Sequence, residues 1–284
     1  MSVAPRRRWR EKSTNAAGDI RYDADRVPKS DADLEVALFV PCYIDQLYPE
    51  VGWASLEVLE AHGVRVHVPA DQLCCGQPWL NTGAVLAARP LVARFGERFA
   101  GHAQVVCPSG SCAAALRRQL AAAGAATPSV FELCEYLVDV VGVERSTVTF
   151  PHRVALHQSC HALRELGLGA PSELGGGEKG RESPARRLLG QVEGLMLVDL
   201  EREDECCGFG GTFCVKEAGV SARMGDDRLL DFERAGAQIV TSMDMSCLMH
   251  LSGLSRRQSR PITFLHIAEI LAGRSPDLAR EPGA

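Results

Sequence analysis

The chain has 284 residues, 46% of them hydrophobic, and a formal net charge of −5. That length suits one large domain or two lobes of about 100–150 residues each, with enough apolar material for a core. The mildly acidic balance excludes a broad basic surface for nucleic acid. No apolar run approaches the roughly 20 residues that span a bilayer, which leaves only peripheral association with a membrane open.

Residues 1–33 are polar and mix both charge signs, which predicts a disordered N-terminal tail. Arg6-Arg7-Arg8 is read as a solvated cluster in it, and no apolar stretch follows to make a secretory signal. From residue 34 a pattern begins that recurs at residue 151, so two lobes are expected over 34–150 and 151–273, with a short tail over 274–284.

In the first lobe a short buried strand at 36–38 delivers Cys42 into a loop, and a helix follows over 53–62. A second strand at 63–68 leads into Cys74-Cys75-Gly76. A further helix and a strand at 103–106 then lead to Ser111-Cys112. An amphipathic helix over 131–141 closes the lobe.

The second lobe repeats the order: a strand at 154–156 before Cys160, a helix over 184–192, and a strand at 194–198 leading into Cys206-Cys207-Gly208. A strand at 237–240 before Ser246-Cys247 and a helix over 264–271 complete it. The copies differ by an insertion: Cys42 to Cys74 spans 32 positions and Cys160 to Cys206 spans 46, the extra length falling around 169–183. Such alternation predicts an α/β fold of two pseudo-repeated βαβ lobes with mainly parallel sheets. Ligands of parallel sheets gather in loops beyond the strand C-termini, so each lobe is expected to bring its cysteines to one edge.

Two other patterns are set aside. Residues 175–180 match the dinucleotide fingerprint letter for letter, but a polar, Pro-containing stretch stands where a strand is required, so they read as a flexible insertion. Asp226, Asp227 and Asp231 lie on a mixed-charge stretch and read as a solvated face.

Eleven cysteines without a signal peptide point away from a secreted disulfide framework and toward ligands or redox groups in a reducing, cytoplasmic setting. Each lobe offers four thiols: Cys42, Cys74, Cys75 and Cys112, then Cys160, Cys206, Cys207 and Cys247. Four thiolates suit an iron–sulfur cluster and also structural zinc. The adjacent pairs favour the cluster, because neighbouring side chains point apart and do not close readily on one small ion. Gly76 and Gly208 tolerate positive φ and let the backbone approach a bulky inorganic group.

Of the other cysteines, Cys107 reads either as a fifth ligand or as a packed thiol, Cys214 lies near the second quartet, and Cys134 belongs to a core face. His157, His161, His250 and His266 flank the cysteines or the last helix, where a histidine either tunes a cluster by a hydrogen bond or simply bonds to backbone.

These residues resemble the CCG-motif family of cysteine-rich iron–sulfur proteins. That family includes the cysteine-rich component of heterodisulfide reductase, the iron–sulfur subunits of glycolate oxidase and anaerobic glycerol-3-phosphate dehydrogenase, and the lactate utilisation protein A group. The resemblance is strongest to the last, through residues 108–112, 160–167, 206–213 and 241–250, and it covers about 34–273.

It implies one or two iron–sulfur clusters, of [4Fe-4S] type, on the eight cysteines. It also implies an electron-transfer subunit working with a second iron–sulfur subunit and a third subunit in oxidising L-lactate to pyruvate. The heterodisulfide branch closes each copy with Cys-x-x-Cys. Here Ser109 and Asp244 stand at the first position of that pair, which disfavours five-thiol clusters. A heterodisulfide-type thiol–disulfide oxidoreductase and a zinc-stabilised scaffold are the alternative readings.

Overall fold

The computed structural model describes residues 34–124, 128–174 and 181–276. The arginine cluster, the glycine fingerprint at 175–180 and most of the C-terminal tail lie outside the described residues. The first half forms a parallel sheet of β1 (Glu35–Leu38), β2 (Arg65–His67), β3 (Gln104–Cys107) and β4 (Ser129–Glu132), in the order β2-β1-β3-β4. The second half repeats it with β5 (Arg153–Leu156), β6 (Met196–Leu197), β7 (Ile239–Ser242) and β8 (Thr263–His266), in the order β6-β5-β7-β8. Equivalent registers bind the copies, with Val36 opposite Val66 and Leu38 opposite Val106, then Val154 opposite Leu197 and Ala155 opposite Val240. The central strands are buried along nearly their whole length, as parallel strands covered by helices are.

The helices fill the crossovers. In the first half they are α1 (Cys42–Leu47), α2 (Pro49–Ala61), α3 (Gln77–Asn81), α4 (Val85–Phe99), α5 (Gly110–Ala122) and α6 (Leu133–Tyr136). In the second they are α7 (Pro184–Leu189), α8 (Phe213–Lys216), α9 (Ala218–Arg234), α10 (Met245–Arg257) and α11 (Ile267–Leu271). Proline at the first helical position of α2 and α7 costs nothing there, because that N–H has no intrahelical partner.

The closing segment of each half departs from the sequence expectation. Residues expected to start a helix at 131 and at 264 belong to fourth strands, β4 and β8, and the helices start only at Leu133 and Ile267. Glu132 and His266, each both the last strand residue and a helix N-cap, make the switch through reciprocal capping with Glu135 and Glu269.

One apolar core runs through both halves, joining Leu38, Leu56 and Leu137 to Val154, Leu189 and Ile267. A second covers the other face of the first sheet with Phe39, Phe95, Phe99 and Leu116. α2 packs on α11 across the halves, and Arg274 donates to the Glu50 carbonyl at 2.8 Å. At the seam Ser109 faces Asp244 in an antiparallel bridge. The two strand-end edges therefore meet. Among the described residues no helix is long and apolar enough to cross a membrane.

Candidate metal centre

Every cysteine of the two quartets lies on the segment that follows a strand C-terminus. Cys42 opens α1 after β1, and Cys112 sits in the first turn of α5 after β3. Cys160 precedes a π turn at His161–Glu165, and Cys247 sits in the first turn of α10 after β7. The Cys-Cys pairs follow β2 and β6. Gly76 and Gly208 then turn the chain with φ of +84° and +86°. These turns aim both members of each pair at one space, although adjacent side chains normally diverge.

That space is a cavity of about 220 Å³ at the seam, and all eight predicted cysteines line it. Tyr43, Gln77, Asn81, His161, Phe209 and Asp244 line it too. Cys75, Cys112, Cys207 and Cys247 are buried, Cys74, Cys160 and Cys206 half-buried, and Cys42 exposed. Within each half the thiols contact one another in series. In the first the order is Cys42, Cys74, Cys75, Cys112, with the Cys75 and Cys112 sulfurs 3.1 Å apart. In the second it is Cys160, Cys206, Cys207, Cys247.

Hydrogen bonds from Cys42 and Cys75, and from the Gly76 N–H, hold Cys74 well below the ordinary thiol range. Cys160, Cys207 and the Gly208 N–H do the same for Cys206. The corresponding member of each pair is therefore the readiest thiolate, and thiolate is the form that ligates metal.

The remaining cysteines stay outside the cavity lining. Cys107 is fully buried behind Cys112, with its thiol 3.6 Å from the Ser109 carbonyl. Cys214 donates to the Gly211 carbonyl at 3.0 Å, and Cys134, on α6, is buried in the core. Of the flagged histidines, His161 lines the cavity, its Nε2 2.7 Å from Gln77 Nε2. His250 meets the Ser221 carbonyl, and His266 caps α11 by accepting from the Ala268 N–H. His157 is fully buried beside the second quartet, a ring nitrogen and the sulfurs of Cys207 and Cys247 lying within 4.8 Å of one another.

Arg228 and Asp231 belong beside the second quartet, although the mixed-charge stretch around them predicts a solvated face for Asp231. Both are buried rather than solvated. Asp231 accepts from the Glu201 and Arg202 N–H groups at 3.0 and 3.2 Å and from Arg228 Nη1 at 2.8 Å. Arg228 also donates to the carbonyls of Arg202 and Glu203 and to His157 Nδ1, the last at 3.2 Å. It pins the loop that leads into Cys206. The only sequence signal was an Arg/Asp pair three residues apart.

Asp244 is the other group whose role the sequence concealed. It is fully buried and accepts across the seam from the Ser111 N–H at 2.7 Å, and from Ser246 Oγ at 2.6 Å. The Tyr43 hydroxyl bridges it to Ser109, at 3.2 and 3.1 Å. Burial pushes its pKa up, but the hydrogen bonds from Ser246 and Ser111 outweigh that, and the carboxylate stays below its ordinary value.

Residues 36–117 and 154–252 match the family model described as CCG, cysteine-rich domain, and these spans contain all eight cavity cysteines. The chain belongs to the CCG cysteine-rich domain family. Among similar proteins, lactate utilization protein A of Geobacillus kaustophilus is 38% identical over 85% of this chain and the whole of that protein. Lactate utilization protein A of Bacillus subtilis is 36% identical over 85% of this chain and the whole of its own length. Among solved structures, glutamate racemase RacE1 of Bacillus anthracis aligns at a TM-score of 0.34 and 10% identity, covering 85% of this chain and 80% of its own, too low a likeness to bear on the fold.

Proposed function

We propose that each cysteine quartet holds an iron–sulfur cluster and that the chain is the iron–sulfur electron-transfer subunit of a complex oxidising a 2-hydroxy acid. We take the acid to be L-lactate, oxidised to pyruvate; the relatives' names, lactate utilization protein A, support lactate as the substrate. The observation that carries the reading is the arrival of eight thiols from separate strand ends on one seam cavity. The donor set fits: four thiols per site are the usual complement of a [4Fe-4S] cluster. Cys42, Cys74, Cys75 and Cys112 would hold one cluster in the lobe over 34–150. Cys160, Cys206, Cys207 and Cys247 would hold the other in the lobe over 151–273. Bound there, the clusters supply one-electron acceptance.

The chain's own residues orient and shield the ligands. Gly76 and Gly208 turn the paired thiols inward, Arg228 anchors the loop before Cys206, and Asp244 ties the two halves at the cavity wall. The substrate chemistry and the final electron acceptor belong to partners, a second iron–sulfur subunit and a third subunit, in the cytoplasm. Against a heterodisulfide-type activity stands the commitment of Ser109 and Asp244 to hydrogen bonds at the seam, where that branch places cysteines.

The test is anaerobic purification with iron, sulfide and zinc quantitation and electron paramagnetic resonance. Iron and sulfide in cluster proportions, poor lactate oxidation by the chain alone and restored turnover with partner subunits are expected. Stoichiometric zinc without sulfide overturns the reading.

A further inference from the structure

The two halves treat the residue after the first strand's Val-Ala-Leu run differently. In the first half it is Phe39, which packs edge-on against Phe95 and Phe99 of α4 with centroids 5.4 and 5.9 Å away. In the second it is His157, held by Arg228 of α9. An apolar stack thus backs one quartet and a polar pair backs the other.

The hydrogen bond to Arg228 fixes which nitrogen of His157 carries the proton. A guanidinium has donors only. Because Arg228 Nε points at Nδ1 at 3.2 Å, Nδ1 must accept and the ring proton sits on Nε2. With Nδ1 accepting from a guanidinium, the ring carries a single proton and is neutral. Nε2 is buried and has no hydrogen-bond partner among the described residues. A buried N–H left unpaired costs about 1–3 kcal/mol, so this geometry calls for an acceptor beside it. The ring lies at the second quartet, one of its nitrogens and the sulfurs of Cys207 and Cys247 falling within 4.8 Å of one another.

The same proton argues against ligation. A neutral histidine that binds metal through one nitrogen keeps its N–H on the other, and here the other nitrogen faces an arginine.

We infer that His157 donates its Nε2–H to sulfur of the cluster held by the second quartet, raising that cluster's reduction potential, and that Arg228 positions it to do so. The first cluster has no such donor at the equivalent place. Hydrogen bonds to cluster sulfur stabilise the more negative, reduced form. The inference rests on the iron–sulfur reading above.

The test is potentiometric titration, followed by electron paramagnetic resonance, of chain reconstituted anaerobically with ferrous iron and sulfide. Cys207→Ser identifies which signal belongs to the second quartet. His157→Phe, which copies Phe39, is expected to shift the second cluster's reduction equilibrium at least tenfold toward the oxidised form, about 59 mV for one electron, and to leave the first unchanged. His157→Gln retains a terminal N–H and is expected to recover most of the shift. Nitrogen NMR of the metal-free wild-type chain is expected to show the Nε2–H tautomer, which keeps the inference testable if the phenylalanine variant misfolds.

Potentials indifferent to residue 157, an Nδ1–H tautomer, or iron lost from the second site in a folded His157→Phe chain would each overturn it. A chain that retains no iron or sulfide overturns the cluster reading itself, and this inference with it.

Discussion

The two glycines that turn the cysteine pairs inward have unequal surroundings, and Gly208→Ala against Gly76→Ala measures the difference. Both have left-handed φ, +84° at Gly76 and +86° at Gly208, which costs an L-residue about 1–2 kcal/mol. At Gly76 an added Cβ meets the Ala88 Cβ at 3.2 Å and the flexible Gln119 amide at 3.4 Å, contacts that small shifts relieve. At Gly208 it lands 2.7 Å from the Ser221 carbonyl oxygen and 2.8 Å from the Met224 Cβ, both on α9. That clash is with helix backbone, so α9 must move, and overpacking of this kind adds about 1–3 kcal/mol.

The totals come to about 1–2 kcal/mol for Gly76→Ala and about 2–5 kcal/mol for Gly208→Ala. At about 2–4 °C per kcal/mol for a chain of this size, the second variant should melt several degrees below the first. Anaerobic thermal unfolding of metal-free protein reads this without a contribution from bound iron. Equal losses, or a larger loss for Gly76→Ala, would refute the account.

Other expectations follow from the same geometry. Arg228→Met should lower stability by about 3–5 kcal/mol by leaving the Asp231 carboxylate buried without its cation, and adding Asp231→Asn should restore part of it in denaturant titration. Cys75→Ser and Cys207→Ser should each reduce iron content and melting temperature, whereas Cys134→Ala and Cys214→Ala should leave the iron content unchanged on elemental analysis. Burial raises Glu132 from 4.5 to about 8. Its contribution to stability is therefore full below pH 4.5 and falls by about 1.4 kcal/mol per pH unit as pH rises toward 8. Glu132→Gln, which keeps an acceptor for the helix cap, should flatten that slope. Burial lowers His266 from 6.5 to about 4, so its contribution has the opposite sign, present above pH 6.5 and lost as pH falls through 4. His266→Asn should remove this acid-side slope in urea titrations across pH.

The Val-Ala-Leu runs at 36–38 and 154–156, and the cysteines that follow them, made the duplication and the parallel sheets readable, because strand ends in such sheets share an edge. β4 and β8 were hidden. Each is four residues long and passes straight into a helix, so its apolar residues merged with the amphipathic pattern behind them. The capping glutamates at Glu135 and Glu269 were the available sign of a later helix start. Asp231 and Arg228 lie on a stretch that reads as surface, and their partners, the 201–203 backbone and His157, come from distant parts of the chain. The sequence identified Asp244 as a departure from a cysteine pattern, but its bonds to Ser111 and Tyr43 span 133 and 201 positions, beyond any local periodicity.

The Ser109–Asp244 contact also bears on why this architecture is a single polypeptide. Two identical copies of the C-terminal half, assembled with the same geometry, would set one aspartate against another in a dry junction, and like charges so close cannot both stay ionised. Tandem fusion lifts that constraint. Serine on one side becomes a neutral counterpart, a lone anion can occupy the dyad, and near-equal halves are free to acquire unequal electronic properties.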